Sequence, residues 1–534
     1  MAPSVVLKDL TFNWPEGTAV FRGISGAFAA GRTGLVGRNG AGKSTLLKAI
    51  AGTIAPTSGH IDAAGTIAYL PQDINADPRA TVASLLGIAT VIDAIAAVER
   101  GDVDQQHFDV IGDDWDVEVR ARATLARVGF HDLPLDRPVS TLSGGEVMLL
   151  AVTGCRVRRA DVTLLDEPTN NLDPTTRRRL YDLVAEWPGA LIVVSHDLDL
   201  LELMQNTAEL HAGHLTFFGG PYSAFLEHLE EQQDAATKTA HAAAHALKAE
   251  KRQRQDAEAK LAQRARTANR TQASGGIPKI LAGNRASRAQ ASAGAMRTGL
   301  DARVNAAQAA VDAADARVRE DEHIHITLPD PVLPAGRRIA ELRTAQDAHT
   351  IQGPERVAVI GSNGAGKTTL LRHLLDPNDT ATSPGGVLHV TDFAYLPQRF
   401  DRLSGDQSPV QNVMAVAPGA SEGEIRNHLA RLLIRGTALD RPVSGLSGGE
   451  RFRVNLATLL LQQPPAQLLI LDEPTNNLDT ISVAQLVEAL SGYRGALLVV
   501  SHDHRFLASL EPTLILELSR GRLKSLPELP TVWN

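Results

Sequence analysis

The sequence predicts an α/β protein in which two similar domains are joined by a long α-helical hairpin. A glycine-rich segment occurs twice, as GRNGAGKST at 37–45 and as GSNGAGKTT at 361–369. A short apolar strand precedes each copy and a helix follows it. Between the repeats lie about 100 residues rich in Ala, Gln, Glu, Lys and Arg, which are strong helix formers. We therefore expect domains at 1–222 and 323–534, and a hairpin linker at 223–322.

The composition is that of an ordinary globular protein, with 534 residues of which 43% are hydrophobic and 21% are charged. The one cysteine, Cys155, excludes a disulfide framework and falls in an apolar helical run, so we expect it to be buried. The first residues lack the basic and apolar regions of a signal peptide, and no run of 18 apolar residues occurs. A cytoplasmic protein without membrane segments is expected.

Both glycine-rich segments match the P-loop pattern G-x-x-x-x-G-K-[ST]. In this pattern backbone N–H groups wrap a polyphosphate, the lysine neutralises its outer phosphates and the following hydroxyl ligates Mg²⁺. The strands are predicted at Thr33–Val36 and Arg356–Ile360, and the helices at Leu46–Ala51 and Leu370–Leu375. Each helix therefore directs its N-terminus at the phosphates. The predicted nucleotide-binding residues of the two loops are Gly37, Asn39, Gly40, Gly42, Lys43, Ser44 and Thr45, and Gly361, Asn363, Gly364, Gly366, Lys367, Thr368 and Thr369.

The same four further motifs follow each P-loop in the same order: YLPQ, LSGGE, DEPTNNLD and SHD. The glutamine amide can contact Mg²⁺ and the attacking water, and the Ser-Gly-Gly opens a helix suited to an anion. The aspartate can hold Mg²⁺ through water, the glutamate can polarise the nucleophilic water, and the histidine lies where parallel sheets bind ligands. These residues are Gln72, Ser143, Gly144, Gly145, Asp166, Glu167 and His196 in the first copy, and Gln398, Ser447, Gly448, Gly449, Asp472, Glu473 and His502 in the second. The predicted Mg²⁺ ligands are Ser44, Gln72, Asp166, Thr368, Gln398 and Asp472.

The two copies differ ahead of the P-loop. Trp14 lies on the turn between predicted strands at 5–10 and 19–28, where its ring can stack on a nucleotide base or pack the end of a strand. No aromatic residue occurs between Phe225 and Phe393, so the short segment 337–354 of the second copy offers only His349 or Arg338 for that contact. The motif spacing also predicts a helical insertion of about 22 residues in the first copy, near residues 85–115.

The order of these motifs resembles the ATP-binding cassette ATPases, and the resemblance covers both repeats. It implies a monomer whose two cassettes pair, with each ATP and Mg²⁺ held between the P-loop of one cassette and the LSGG signature of the other. It also implies an ATPase with catalytic roles for Glu167, Glu473, His196 and His502. Neither copy contains an N-K-x-D motif, which favours ATP over GTP.

Two cassettes on one chain with a long linker are similar to the ABC-F group of translation factors. The group's usual EPTNHLD reads EPTNNLD here, with Asn171 and Asn477 in place of the histidine, and Val147-Met-Leu-Leu departs from the basic and polar residues usual after the signature. The resemblance implies a ribosome-associated ATPase whose hairpin contacts the P-site tRNA near the peptidyl-transferase region. The segment 277–283 resembles the tip of the antibiotic-resistance members.

The charge of the linker is opposite to that of the rest of the chain. Residues 238–303 hold 14 Lys and Arg against 4 Asp and Glu, a net of +10, whereas the whole chain is at −8. A basic helical arm on an acidic body suits binding to a phosphate backbone, although a charged hairpin is commonly a solvated face. We expect a non-helical tip at about 271–295, a second helix from about 297 to 322, and RNA contacts by three tip cations, Lys279, Arg285 and Arg288.

Charge alone does not distinguish RNA from DNA. Drug protection of the ribosome, a general translation factor, the ATPase subunit of an exporter and a DNA-directed ATPase therefore stay open at this point.

Overall fold

The computed structural model describes residues 5–14, 19–72, 74, 77, 79–170, 172–273, 279–315, 330–362, 364–376, 384–397, 403–446, 448–476 and 478–530. They divide into one compact unit, 1–222 with 323–534, and a second unit, 223–322. The predicted fold class is confirmed: two similar α/β domains flank a long helical insertion.

The first domain alternates strands and helices along the chain. Its strands are β1 (Val5–Asn13), β2 (Ala19–Phe28), β3 (Gly31–Val36), β4 (Ser58–Ala63), β5 (Ile67–Leu70), β6 (Val162–Asp166), β7 (Ala190–Val194), β8 (Asn206–His211) and β9 (His214–Gly219). Its helices are α1 (Lys43–Ile50), α2 (Val82–Leu86), α3 (Ala89–Glu99), α4 (Gln105–Ile111), α5 (Val117–Arg127), α6 (Gly144–Val157), α7 (Pro174–Ala185) and α8 (Leu198–Glu202).

A mainly parallel sheet forms the core of this domain, in the order β5-β6-β7-β3-β8-β9. Strands β6 and β7 are buried along their whole length, as expected for parallel strands covered on both faces. A separate antiparallel sheet, β2-β1-β4, carries Phe12, Phe21 and Phe28 into the same hydrophobic core. Cys155 is buried in α6, as predicted. The carboxyl ends of β3, β6 and β7 thus bring the P-loop, the Asp-Glu pair and the histidine to one edge of the sheet.

The linker contains two long helices. They are α9 (Tyr222–Ala273), with 52 residues, and α10 (Lys279–Asp315), with 37 residues. An ion pair of 2.7 Å between Nε of Arg254 and Oδ1 of Asp301 connects them. The helices extend much further into 271–295 than predicted, because this segment is rich in Ala, Ser, Arg and Gln and its few glycines cost too little to stop a long helix. The residues between them, 274–278, lie outside the described part.

The second domain repeats the plan. Its strands are β10 (Arg338–Arg343), β11 (Ala348–Gln352), β12 (Arg356–Ile360), β13 (Gly385–Leu388), β14 (Phe393–Leu396), β15 (Leu468–Asp472), β16 (Ala496–Val500), β17 (Leu514–Ser519) and β18 (Arg522–Leu526). Its helices are α11 (Lys367–Leu375), α12 (Pro409–Val416), α13 (Glu422–Arg431), α14 (Gly448–Leu460), α15 (Thr480–Ser491) and α16 (His504–Ser509).

The sheets correspond in order, with β14-β15-β16-β12-β17-β18 as the main sheet and β11-β10-β13 as the antiparallel one. The short segment 337–354, for which no strands were predicted, forms both β10 and β11. Their pattern was hidden because Ile339, Ala340, Leu342 and Ile351 supply a buried face without aromatic residues. In the described part of the second domain, α12 is followed by α13, whereas α3 and α4 intervene between α2 and α5 in the first. Among helices of the described ranges, none is long and apolar enough to cross a bilayer.

Candidate functional site

The P-loops follow β3 and β12 in backbone conformations that favour glycine. Gly37 and Gly361 have φ of 146° and 151°. A Cβ at either position would lie 2.3 Å from a backbone carbonyl oxygen, that of Leu210 or Leu518. Gly42 and Gly366 then form the N-caps of α1 and α11. Each loop therefore ends at a helix N-terminus, which suits an anion.

The P-loop lysines are buried and bound to their own loops. Nζ of Lys43 donates to the carbonyls of Gly37 at 2.6 Å and Arg38 at 3.2 Å. Nζ of Lys367 donates to Gly361 at 2.8 Å and lies 2.8 Å from Nε2 of His502. Burial lowers the pKa of both lysines, while the carboxylates around them act in the opposite direction. An arriving polyphosphate would supply the counter-charge that favours the ammonium form.

Oxygen donors of the type that Mg²⁺ prefers meet beside each P-loop. Oγ of Ser44 donates to Oδ1 of Asp166 at 3.0 Å, and the hydroxyl of Tyr69 reaches Oδ2 at 3.4 Å. At the second loop the hydroxyl of Tyr395 lies 3.5 Å from Oδ2 of Asp472. Oδ1 of Asp472 is buried without a hydrogen-bond partner among the described residues. A buried, unbonded carboxylate oxygen beside a hydroxyl fits a hydrated cation, so the residues present suit Mg²⁺.

Both candidate catalytic glutamates lie in the left-handed region of the backbone, with φ of 51° at Glu167 and 48° at Glu473. Their backbone N–H groups donate to Val194 and Val500 at 2.8 Å, which keeps them on the sheet edge. Such conformations are costly for a residue with a side chain and concentrate at functional sites. Here they turn each carboxylate away from its strand and toward a histidine of the neighbouring strand.

Each glutamate is paired with the histidine of the SHD motif. Nε2 of His196 lies 3.2 Å from Oε1 of Glu167, and Nε2 of His502 lies 3.3 Å from Oε1 of Glu473. Burial raises the pKa of Glu167, and it raises that of Glu473 to about 7. Burial, with the nearby lysine, lowers the pKa of both histidines to about 3. The histidines are therefore neutral near pH 7, and each glutamate titrates in the range suited to a general base.

The two domains supply residues to each other's P-loops. Oδ2 of Asp479, in the second domain, accepts a hydrogen bond of 2.7 Å from the backbone N–H of Asn39 in the first. The Asn39 side chain in turn lies 3.1 Å from Nε2 of His196. Conversely, Asp173 of the first domain acts electrostatically on Lys367. Both aspartates end an EPTNNLD motif and cap the helix that follows.

A cavity of about 260 Å³ lies over the second P-loop. The second domain contributes Lys367, Thr368, Thr369, Asp472, Glu473 and His502 among its lining residues. From the first domain, the described lining residues are Leu172 and Arg177, and not Ser143 or Gly145. A larger cavity of about 1060 Å³ between the domains is lined by both candidate catalytic glutamates, Glu167 and Glu473.

The signature residues open helices, as expected. Ser143 caps α6 through a reciprocal capping box in which its Oγ is 2.8 Å from Oε2 of Glu146. Gly144 and Gly145 are the first residues of α6, and Gly448 and Gly449 are the first of α14. The pairing of each signature with the opposite P-loop stays a prediction. Asn363, Gln398 and Ser447 lie outside the described residues, and Gln72 is exposed at the end of the β5 loop.

The residues considered for base contact are placed as follows. Trp14 follows β1, is 41% exposed and packs edge-on against Phe12 with 5.1 Å between ring centroids. Nε2 of His349 is 2.9 Å from the carbonyl oxygen of Leu523, while Arg338 is exposed at the start of β10. The exposed face of Trp14 is compatible with stacking. Base contact stays a prediction at both sites.

Several residues at these sites were not assigned from the sequence. Tyr69 and Tyr395 lie inside the quoted YLPQ motifs, and Asp173 and Asp479 end the quoted EPTNNLD motifs. Their repetition in both copies is the signal that would have found them. Arg177 has no such signal, because the other copy has Val483 at the corresponding position.

Comparison with known proteins identifies the family of the chain. The family model described as "ABC transporter" matches residues 21–170 and 346–476. The chain is 31% identical to "Tylosin resistance ATP-binding protein TlrC" of Streptomyces fradiae over 539 residues, which is 89% of this chain and 90% of that protein. It is 28% identical to "ATP-binding cassette sub-family F member 3" of Mus musculus, over 89% of this chain and 66% of that protein. The chain belongs to the ABC-F family of tandem ATP-binding cassette proteins.

A solved structure extends the likeness to the fold. The archaeal aABCE1, in the "complex of archaeal ribosomal stalk protein aP1 and archaeal ribosome recycling factor aABCE1", matches with a TM-score of 0.53 at 18% identity. The match covers 95% of this chain and 87% of that chain. Each of the two domains of this ABC-F protein is therefore an ATP-binding cassette, a type of domain that binds ATP and in general hydrolyses it.

Proposed function

We propose that this ABC-F protein is an ATPase with two composite sites that acts on the ribosome and protects it from antibiotics. Its hairpin reaches toward the P-site tRNA and the peptidyl-transferase region. The observation that carries the proposal is the linker, in which 52- and 37-residue helices hold a net charge of +10 over 238–303. At about 1.5 Å per residue, α9 spans roughly 78 Å, long enough to enter a large ribonucleoprotein.

The distribution of charge favours a nucleic-acid target for the hairpin. The described basic side chains of α9, such as Arg252, Arg264 and Arg266, are exposed to solvent. Neutralising phosphates with such side chains releases counterions and gives tight but salt-sensitive binding. The tip cations Lys279, Arg285 and Arg288 lie on the backbone of α10, and their side chains are outside the described part of the structure. They remain the proposed RNA contacts.

The drug-protection part of the proposal is supported by the relatives. TlrC is named a tylosin resistance protein and matches this chain over nearly the whole length of both. A general translation factor of the same family is the alternative, because the name of the Mus musculus relative, ATP-binding cassette sub-family F member 3, does not mention resistance. The hypothesis of an exporter subunit does not explain the basic hairpin.

For hydrolysis we assign each residue one task. The P-loop backbone, Lys43 and Lys367 bind the phosphates, and Glu167 and Glu473 accept the proton of the attacking water. His196 and His502 hold those carboxylates in place at 3.2 and 3.3 Å. Bound Mg²⁺ would supply charge neutralisation at the outer phosphates. The residues that would hold it are Ser44, Gln72 and Asp166 at the first site, and Thr368, Gln398 and Asp472 at the second.

The first experiment is sedimentation of the Glu167→Gln/Glu473→Gln variant with purified ribosomes, with and without ATP and over a series of salt concentrations. We expect ATP-dependent pelleting, because this variant should bind ATP without hydrolysing it. The Lys43→Ala/Lys367→Ala variant, which should not bind ATP, is the matched control. Binding to duplex DNA of equal phosphate content that equals binding to ribosomes would favour the DNA-directed alternative.

The second experiment separates drug protection from its alternatives. Expression in a sensitive host should raise tolerance to drugs of the peptidyl-transferase region without lowering intracellular drug accumulation. Lower accumulation would indicate an exporter subunit, and unchanged tolerance would indicate a general translation factor. The Glu167→Gln/Glu473→Gln variant, expressed at the same level, should give no tolerance.

A further inference from the structure

Arg177 of the first domain lies at the nucleotide site of the second. It lies in the first turn of α7, four residues after Asp173, which caps that helix. Its side chain lines the cavity of about 260 Å³ together with Lys367, Thr368 and Glu473. A cation from the opposite domain therefore faces the space in which the second P-loop would hold its phosphates.

The guanidinium has donors that the described protein groups leave unused. Its Nε lies 3.4 Å from Oδ2 of Asp197, yet this buried Nε–H has no hydrogen-bond partner among the described residues. Its Nη2 lies 3.5 Å from the carbonyl oxygen of Leu172, which is the long limit for a hydrogen bond. Arginine presents five N–H donors in a planar fork that matches phosphate oxygens. An anion in the cavity would satisfy donors that the protein alone does not.

The neighbours of Arg177 indicate which phosphate it meets. Glu473 lines the same cavity and is among the carboxylates whose charge acts on Arg177. Because Glu473 polarises the water that attacks the terminal phosphate, a cation beside it lies near that phosphate and not near the base. Attraction from Asp197, Asp503 and Glu473 offsets the burial of the guanidinium, so it stays charged before nucleotide arrives.

The two sites differ at this position. The motif offset of 306 that relates Glu167 to Glu473 and His196 to His502 relates Arg177 to Val483. Val483 is half-buried against the hydrophobic core of its domain and has no donor. The first site therefore receives no arginine from this position of the second domain.

We propose that Arg177 binds the terminal phosphate of the ATP held on Lys367, and so makes the second site selective for ATP over ADP through a residue of the opposite domain. This inference rests on the proposed ATP site at Lys367. Arg177 would then raise the affinity of the second site for the triphosphate. It would also draw the first domain onto the second when ATP is bound.

The test isolates the second site in the Lys43→Ala background and measures the Kd values of ATP and ADP by calorimetry. Arg177→Val, which installs the residue of the other copy, should weaken ATP binding by about 10- to 100-fold, the range of a charge-assisted hydrogen bond. ADP binding should change by less than about threefold. Arg177→Lys keeps the charge without the fork and should lose less.

The control is Arg178→Val, a change of the next residue on the same helix, which is exposed and lines the larger cavity. It should leave both Kd values unchanged. Equal losses for ATP and ADP in Arg177→Val would overturn the proposal and indicate a structural clamp through Asp197. If Arg177→Val does not fold, the ATP-to-ADP ratio of Arg177→Lys decides in the same way. Absence of ATP binding in Lys43→Ala alone would instead refute the proposed second site.

Discussion

The pH dependence of a single-glutamate variant tests the assigned chemistry directly. In Glu167→Gln the shape of the side chain is kept, and its amide oxygen can still accept from the backbone N–H of His196, which is 3.4 Å from Oε2. Only the charge is lost, so the remaining turnover should depend on Glu473. Burial raises the pKa of Glu473 to about 7, with Lys367 and Arg177 acting in the opposite direction.

The direction of the pH dependence follows from the role of Glu473 as a general base. A carboxylate accepts a proton only when it is ionised, so protonation of Glu473 below pH 7 should remove activity. We expect kcat/KM of Glu167→Gln, which reports groups of the free enzyme, to be level above about pH 8 and to fall tenfold per unit below about pH 6. General-base catalysis contributes about 10²- to 10⁴-fold, or about 2.7–5.4 kcal/mol of barrier. The Glu167→Gln/Glu473→Gln variant should lose turnover by that factor or more.

The assay is steady-state phosphate release between pH 5.5 and 9, with ATP binding measured on the same samples. Glu118→Gln is the matched control, because the side chain of this residue on α5 is about half exposed and pairs with Arg122 of the same helix at 2.7 Å. It should leave turnover within about twofold of the wild type. Near-normal turnover in the double variant, or a flat profile between pH 6 and 8 in Glu167→Gln, would refute the assignment of the glutamates.

Three further predictions concern stability, base contact and the hairpin. Asp479→Ala removes a helix cap worth about 1 kcal/mol and a charged hydrogen bond to Asn39 worth about 1.5–3 kcal/mol. The Tm of this variant should therefore fall clearly. The Tm of Asp479→Asn should fall less, because asparagine still caps the helix. Trp14→Ala should weaken ATP binding at the first site alone, by about 5- to 150-fold if the ring stacks on the base, as calorimetry on single-site variants will show; an unchanged Kd means that Trp14 only packs β1. Alanine at all three tip cations should reduce the slope of ribosome affinity against salt concentration by about 2–3, while basal ATP hydrolysis stays nearly constant.

Much of the fold was predictable because its signals are local. The strand before each P-loop, the helix after it and the buried strand before Asp166 follow from short apolar runs bounded by glycine or carboxylates. The sequence was less informative where the local pattern was weak. Strands β10 and β11, which have no aromatic residues, were not predicted. The prediction of a non-helical tip was wrong, because that segment is rich enough in helix formers for α10 to begin at Lys279.

The residues of the candidate sites were likewise predictable only in part. The P-loop glycines, Ser44 with Asp166, and each glutamate with its histidine could be grouped from motif order alone, because parallel strands bring their carboxyl ends to one edge. Tyr69 belongs to the YLPQ motif, but no role was predicted for it from the sequence. Its hydrogen bond to Asp166 depends on the register of β5 against β6, which sequence does not state.

The sequence by itself determined the chemistry within each domain: two P-loops, two Asp-Glu pairs, two histidines, and a basic linker on an acidic chain. Only the tertiary structure decided what one domain supplies to the other. Asp479 reaches Asn39 across 440 residues of chain, and Arg177 reaches the cavity over Lys367. The physical reason is that hydrophobic pattern and helix capping specify local elements, whereas contacts between domains depend on the packing of two complete folds. Contacts between domains produce no periodic pattern in the sequence of either domain. The position of Arg177 at the second site is therefore recognised only in the tertiary structure.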